Sequence, residues 1–587
     1  MESTNTIPPL RFGQFELDVR LRELRTGSTR IRLQEQPFEI LRIMLESPGD
    51  VVTREQLRQR LWPNGTFVDF EHSLNAAVKR LRAALGDDAE NPRFVETLPR
   101  RGYRFIASLN APEPAAGPPA VATATPRVRL AVLPFTNLSE DPGQDYFSDG
   151  LTEEMIAQLG GLCRGRIGVL ARWSSMVFKG TSRRASEIGE ALRADYLLEG
   201  SVRREGDRVR ITARLVETAG ETHLWSDVYE RHMIDCLSVQ TDVAGRIARS
   251  LAMELAPDQQ TASKPACDPA AYQAYLKGRY YWNKPFDDGL TEAIGFFERA
   301  LAISPSFGAA HAILARARIA RAEYYHDLPR QALQEAQVVA ARALEIDDSL
   351  YEGHLAAAEA KRMHDLDWVA AEASYNRAIA LNPSYESAHR AYAVMLSALG
   401  RHEQAIRASE RSCELDPLCL VVGTSAAWVR YAAGDYDAAI DHCRNTIDMD
   451  PEFLPARRLL GAAYLQAGRH TEALSELESA AALADVDPVL LTWLAHAKAI
   501  IGARGDAVGL LAEARGLEAE RYVSQYHLAL AYVGLASIDA AFASLDQAWL
   551  DRDPALAAVH VEPRFEPLRS DRRYGELLKR LHLSGNV

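Results

Sequence analysis

The feature that most constrains this chain is a spacing. Gly400, Gly434, Gly468 and Gly502 stand 34 residues apart, and Pro383, Pro417 and Pro451 keep the same step. So do Ala371, Ala405, Ala439, Ala473, Ala507 and Ala541, with Ala293 and Ala336 each 12 residues before the turn of their own repeat, at Pro305 and Asp348. Seven residues after each alanine comes a second small residue: Ala300, Ala343, Ala378, Ser412, Thr446, Ala480, Ala514 and Ala548. A small residue in each helix of a pair lets the two helices approach closely. The Gly ends the first helix, where a left-handed residue is needed. The Pro terminates the second and resets the chain. Such pairs stack into a right-handed superhelix with a concave face.

This pattern resembles the tetratricopeptide repeat family, with about eight repeats over 270–552. Leu460-Gly461 and Tyr464 sit where that family's motif places Leu-Gly and Tyr. Most repeats lack the motif's Trp, and the second is lengthened to 43 residues from Pro305 to Asp348. The resemblance implies protein or peptide binding, not catalysis. Residues 268–587 are therefore expected to form an all-α solenoid with a C-terminal cap.

Upstream, residues 109–127 carry Pro112, Pro114, Pro118, Pro119 and Pro126 among Ala, Gly and Thr, with Val121 as the one large aliphatic between Asn110 and Arg127. That composition predicts an extended linker, on the order of 50 Å if polyproline-like. It separates an N-terminal unit, 8–108, from a middle unit, 128–256. A weaker break runs from Pro257 to Pro269. The 587 residues are 25% charged and 47% apolar, which excludes wholesale disorder, a collagen-like chain and a disulfide-stapled miniprotein. The formal charge of −13 argues against a nucleic-acid binder, but it is an average. Residues 8–108 hold 17 Lys/Arg against 14 Asp/Glu, a net of +3, so the remainder carries −16. The six scattered cysteines form no CxxC pair and read as reduced thiols. No run of about 18 apolar residues suggests a membrane span.

In the N-terminal unit, β-like runs (Phe12–Leu17, Arg20–Leu24, Thr29–Leu33) surround a Thr26-Gly27-Ser28 turn. Phe38, Leu41, Met44 and Leu45 share one helical face. Thr53-Arg54-Glu55-Gln56 is a capping box opening a second helix, closed by Trp62-Pro63-Asn64-Gly65. A third helix is expected from about Glu71 to Leu85, N-capped by Asp69. Leu74, Val78, Leu81 and Leu85 form its core face. His72, Asn75, Ala76, Lys79 and Ala83 point the other way, with Arg80 and Arg82 on the flanks. That slim cationic face suits a major groove, where Asn matches adenine edges and Arg or Lys matches guanine edges and phosphates. A hairpin follows, Phe94–Leu98 and Tyr103–Ile106, with Arg100 and Arg101 at its tip and Arg104 on its second strand.

This order of sheet, three helices and hairpin resembles the winged helix-turn-helix domain of OmpR/PhoB-type and ToxR/CadC-type regulators. Leu81-Arg82-x-x-Leu85 and Arg101-Gly102-Tyr103-Arg104 carry the match. The resemblance implies that the third helix enters the major groove of promoter DNA and the wing contacts the flanking backbone. The expected DNA-binding residues are His72, Asn75, Lys79, Arg80, Arg82, Arg100, Arg101 and Arg104. No receiver domain is expected before the unit and no transmembrane helix after it, so the input signal is expected from 128–587.

The middle unit reads as α/β: strands at 129–134 and 167–170, helices at 150–159 and 185–192, then strands at 196–203, 208–216 and 221–229, and a closing helix at Leu237–Leu255. Phe135–Leu151, Asp195–Val202 and Leu224-Trp225 resemble the TolB N-terminal/FlgO-like domain, which implies a fold more than a function. Gly160–Arg166 resembles a phosphate loop, but it lacks the Lys and Ser/Thr that hold phosphate, so a plain loop is expected. Asp141, Asp145 and Asp149 read as a solvated turn and helix start. No catalytic constellation, metal set or cofactor motif stands out, so no enzyme is expected. The reading is a cytoplasmic one-component transcription regulator. Its expected partners are promoter double-stranded DNA, RNA polymerase and a protein or peptide on the repeats, with no membrane. The alternative is a signalling adaptor whose winged helix docks proteins.

Overall fold

The computed structural model describes residues 10–12, 15–18, 23–26, 29–31, 33–45, 51–61, 70–85, 87, 92, 94–98, 101–106, 109–110, 128–139, 142–163, 167–206, 208–232, 268–284, 288–324, 328–483 and 486–583. The chain divides into two compact units, 1–117 and 118–587. The expected Asp69 cap, the Trp62–Gly65 break, Arg100, the helix at Leu237–Leu255 and most of the linker lie outside the described residues.

The first unit opens with four short antiparallel strands: β1 (Leu10–Phe12), β2 (Phe15–Asp18), β3 (Glu23–Thr26) and β4 (Thr29–Ile31). Then come α1 (Glu35–Leu45), β5 (Val51–Thr53), α2 (Arg54–Leu61), α3 (Phe70–Leu85), β6 (Val95–Leu98), β7 (Gly102–Phe105) and β8 (Leu109–Asn110). One sheet has the order β4-β3-β2-β1-β8 and the other β5-β7-β6. The capping box forms as read: the Thr53 amide donates to Gln56 Oε1 at 2.8 Å, and the Gln56 amide donates to Thr53 Oγ1 at 3.2 Å. Phe38, Leu41, Met44 and Leu45 are buried with Leu57, Leu74, Leu81 and Phe105. Strand β5 was not foreseen. It pairs with the wing through Thr53 and Gly102, where a Cβ would lie 2.1 Å from the Val52 carbonyl oxygen, so only glycine fits.

In the second unit, the α/β region comprises β9 (Val128–Val132), β10 (Thr136–Asn137), α4 (Asp145–Cys163), β11 (Ile167–Val169), α5 (Arg172–Met176), α6 (Ala185–Leu192), β12 (Tyr196–Glu205), β13 (Arg208–Glu217) and β14 (Thr222–His232). The sheet order is β11-β9-β12-β13-β14, with β10 paired to β12. α4 covers one face through Leu151, Met155 and Leu159. α6 covers the other through Ile188 and Leu192. Two expectations are corrected here. Gly160 and Gly161 lie in the last turn of α4, not in a loop. A Cβ on Gly160 would lie 2.6 Å from Asn382 Oδ1, so the glycine serves close packing against the array. Asp149 is not solvated: it is buried and bonds Lys179 Nζ at 2.8 Å.

The array contains eight helix pairs among the described residues. They are Pro269–Trp282 with Asp288–Ile303, Gly308–Glu323 with Pro329–Ile346, Tyr351–Ala360 with Trp368–Leu381, and Glu386–Ala398 with His402–Leu415. Then follow Leu420–Ala432 with Tyr436–Met449, Leu454–Gln466 with His470–Leu483, Pro488–Ile500 with Arg504–Gly516, and Gln525–Gly534 with Ile538–Asp551. All eight alanines of the first small-residue series are completely buried. So is the second series, where Ser412 and Thr446 are 1% exposed. The placement differs from expectation: both series lie on the second helix of each pair, not one in each helix. Residues seven apart on a helix face the same way, so each second helix presents one flat strip to its neighbours. Gly400, Gly434, Gly468 and Gly502 adopt φ of +72°, +79°, +74° and +90° at the turn within each pair. One step before and after, Leu366 and Ala536 hold the same conformation at +57° and +54° without being glycine.

The α/β region and the array share one core, in which α4 packs on Pro269–Trp282. Arg279 donates to Glu153 at 2.6 Å and to Glu352 at 3.1 Å. Burial alone would raise the Glu153 pKa, but Arg279 and Arg172 hold it below the ordinary value. The Ala171 amide donates to the Leu415 carbonyl at 2.8 Å, and Ser174 donates twice to Asp416 Oδ1, at 2.8 and 2.5 Å. Beyond the eighth pair, residues 553–583 turn back as a strap through two 3-10 segments and a last helix, Arg572–Arg580. The strap touches distant pairs. Trp368 Nε1 donates to the Leu581 carbonyl, Tyr431 donates to Glu562, the Arg564 guanidinium lies 3.9 Å from the Trp493 ring centre, and Phe565 meets Tyr526 edge-on.

Candidate nucleic-acid interface

The α3 residues divide as the 3.6 period requires. Leu74, Val78, Leu81 and Leu85 are at most 2% exposed, with Ala77 beside them. Asn75, Lys79 and Arg80 are exposed and Ala76 is half-buried. His72 lies within α3, but its side chain is outside the described set, as is that of Ala83.

The basic residues do unequal work. Arg82 Nη2 donates to the Val95 carbonyl at 2.7 Å and to Thr97 Oγ1 at 2.8 Å, which fastens α3 to the first wing strand. Arg104 faces Glu96 across the hairpin, with Nε and Nη2 at 2.8 and 2.6 Å from Oε2. Arg80 Nη1 donates to the neutral Gln34 Oε1 at 2.6 Å, which leaves its charge uncompensated there. Lys79 and the exposed Arg101 carry no carboxylate partner among the described residues. Arg101 sits at the hairpin turn, where its amide donates to the Leu98 carbonyl and its carbonyl accepts from the Arg54 amide.

Between α3, the start of α2 and the wing lies a recess lined by Arg54, Asn75, Val78, Lys79, Arg82, Thr97 and Tyr103. Sequence reading placed Asn75, Lys79 and Arg82 in the site but gave no role there to Arg54, Thr97 or Tyr103. Arg54 was visible only as part of a capping box, and Tyr103 only as a motif letter. Tyr103 donates to Asn75 Oδ1 at 2.8 Å. Arg54 donates to the same oxygen and to the Tyr103 hydroxyl, both at 3.3 Å. The result is a small, cationic, partly preorganised surface whose neutral centre is Asn75.

Residues 28–105 match the family model described as "Transcriptional regulatory protein, C terminal", and residues 366–417 and 430–496 match tetratricopeptide repeat models. The N-terminal unit is thus a winged helix of OmpR/PhoB type, and the array is a tetratricopeptide-repeat solenoid. A candidate adenylate cyclase of Rhizobium meliloti (strain 1021), adenylate cyclase 3, is 34% identical over 41% of this chain and 41% of its own length. The transcriptional regulator HilA of Salmonella typhimurium is 23% identical over 70% of this chain and 71% of its own. The cholera toxin homolog transcriptional activator of Vibrio parahaemolyticus is 34% identical over 15% of this chain and 30% of its own. The chain therefore spans less than half the length of the cyclase relative. No helix among the described residues is long and apolar enough to cross a membrane.

Proposed function

We propose that this chain is a sequence-specific, DNA-binding transcription regulator. The observation that carries the reading is the exposed face of α3, which presents Asn75, Lys79 and Arg80, with Arg101 exposed at the hairpin turn and no carboxylate partner on Lys79 or Arg101 among the described residues. A helix of this profile fits a major groove, and unpaired cations release counterions from phosphate. Arg82 acts chiefly by holding the wing against α3 and Arg104 by tying the two wing strands together through Glu96, so they shape the surface more than they touch the duplex. His72 and Arg100 complete the proposed contact set. The regulators matched by the comparisons support the same reading, and the cyclase name brings no catalytic residues to it.

The tetratricopeptide array is proposed to take a protein or peptide partner that tunes DNA binding, RNA polymerase being a further partner at the promoter. The α/β region, with its likeness to TolB N-terminal/FlgO-like domains, would couple the two, and the site of action is the cytoplasm. The strap already covers Tyr431, Trp493 and Tyr526 on the first helices of pairs five, seven and eight. A partner must therefore dock elsewhere on the array or displace the strap. A mobility-shift titration of the full chain against genomic fragments tests the reading. Binding should weaken steeply with salt, and Lys79→Ala should lower the slope of log K against log salt by about 1. Absence of any salt-sensitive shift refutes it.

A further inference from the structure

Among the described residues, the Asn75 side chain is the neutral hydrogen-bonding group on the exposed α3 face, and its orientation is fixed from below. Arg54 is a donor only, so the amide must turn its oxygen, not its NH2, toward the guanidinium. The Tyr103 hydroxyl accepts from Arg54 Nη2 at 3.3 Å, which directs its single proton onward to Asn75 Oδ1 at 2.8 Å. Arg54 Nη1 supplies a second donor to that oxygen at 3.3 Å, and its guanidinium lies 5.3 Å from the Tyr103 ring centre. Tyr103 is itself 2% exposed and held in strand β7 by its pairing with Val52 and Thr97. The relay runs one way, Arg54 to Tyr103 to Asn75. It occupies both lone pairs of Oδ1. The amide nitrogen makes no hydrogen bond among the described residues.

This matters because asparagine reads adenine with both ends of its amide: the oxygen accepts from N6 while the nitrogen donates to N7. An asparagine whose oxygen is already engaged can only donate. We propose that Asn75 is a donor-only reader that selects guanine, whose major-groove edge offers the acceptors O6 and N7, over adenine, whose N6 amino group would face an occupied acceptor. Arg54 and Tyr103 are the positioning residues that set this preference. The inference rests on the DNA-binding reading above, and it reverses the adenine assignment that the residue type alone suggests.

Base selection from a random duplex pool by the full chain tests it, followed by competition shifts with guanine or adenine at the selected position. The position read by Asn75 is the one whose preference disappears in Asn75→Ala. There the unaltered chain should favour guanine over adenine by about tenfold or more. Tyr103→Phe keeps the buried ring and frees one lone pair, so it should bring the ratio toward unity. Arg54→Gln, exposed to no folding penalty from the buried ring, should do the same. A merely structural role for Tyr103 would weaken binding to both duplexes equally and leave their ratio unchanged, which overturns the proposal. So does adenine selection by the unaltered chain. If the unaltered chain shows no salt-sensitive binding to any duplex, the DNA-binding reading itself fails, and the inference falls with it.

Discussion

Glu562→Ala should destabilise this chain far more than the loss of one acid usually does. Glu562 and Arg564 have side chains 0% and 2% exposed, with Nε 2.8 Å from Oε1. The carboxylate also accepts from the Tyr431 hydroxyl at 2.8 Å, from the Arg564 amide at 3.2 Å and from its Nη2 at 2.9 Å. Burial alone would raise the Glu562 pKa, yet Arg564 holds it below the ordinary carboxylate value, so the pair is ionised. Removing the acid strands a guanidinium over Trp493, and breaking a buried pair from one side costs about 3–5 kcal/mol. Arg564→Ala strands the carboxylate at a similar cost of about 3–5 kcal/mol. Removing both leaves no stranded charge, so the double variant should cost up to about 3 kcal/mol less than the sum. Urea unfolding of the full chain, followed by tryptophan emission, closes the cycle, because Trp493 lies directly under Arg564. Coupling below about 0.5 kcal/mol would show that the two charges do not face each other in a dry interior, and would sink the reasoning.

Other expectations follow from single residues. Ala536→Gly should raise stability by about 0.5–1 kcal/mol, because φ of +54° penalises a Cβ, while Gly468→Ala should cost about 1 kcal/mol through φ of +74° alone, nothing lying within 4 Å of the new Cβ. Opposite signs for the pair in thermal unfolding are the check. Burial first, then Arg564, pushes His496 down to about 4, so its neutral form adds stability that is complete above about 6.5 and fades as pH falls toward 4, by about 3 kcal/mol. His496→Gln should flatten the acid limb of the urea midpoint against pH by that amount; an unchanged limb rules the account out. Arg82→Ala should cost the first unit about 1–3 kcal/mol by losing two bonds to the wing strand, whereas a residue that only touched phosphate would leave thermal stability alone.

The repeats were legible in sequence because the helix pairs solve the same packing problem with the same short-range means: a buried small strip in all eight, a left-handed turn residue in the third to the eighth, and in several a proline stop. The eight alanines from Ala293 to Ala541 report burial directly. The winged helix was legible for a similar reason, since Leu74, Val78, Leu81 and Leu85 repeat at the helical period. What could not be read is long-range and aperiodic. Nothing in the sequence near Gly160 announces Asn382, and nothing near Leu581 announces Trp368, 213 positions away. The roles of Arg82 and Arg104 were hidden too. Charge at a helix flank or on a hairpin strand predicts an exposed cation, but only the fold shows that Val95 and Thr97 have already engaged Arg82, and Glu96 has engaged Arg104.

An open solenoid tolerates the gain or loss of a repeat, because each unit touches only its neighbours. Here the chain's last segment returns to Trp368 and Tyr431, so its reach is set by how many units lie between. Adding one helix pair after Gly468 would carry Glu562 and Leu581 out of register with Tyr431 and Trp368, which precede the insertion. The number of repeats is thereby locked. Divergence among chains of this architecture should proceed by substitution within the eight pairs, and copies with seven or nine should lack the strap or carry one of altered length.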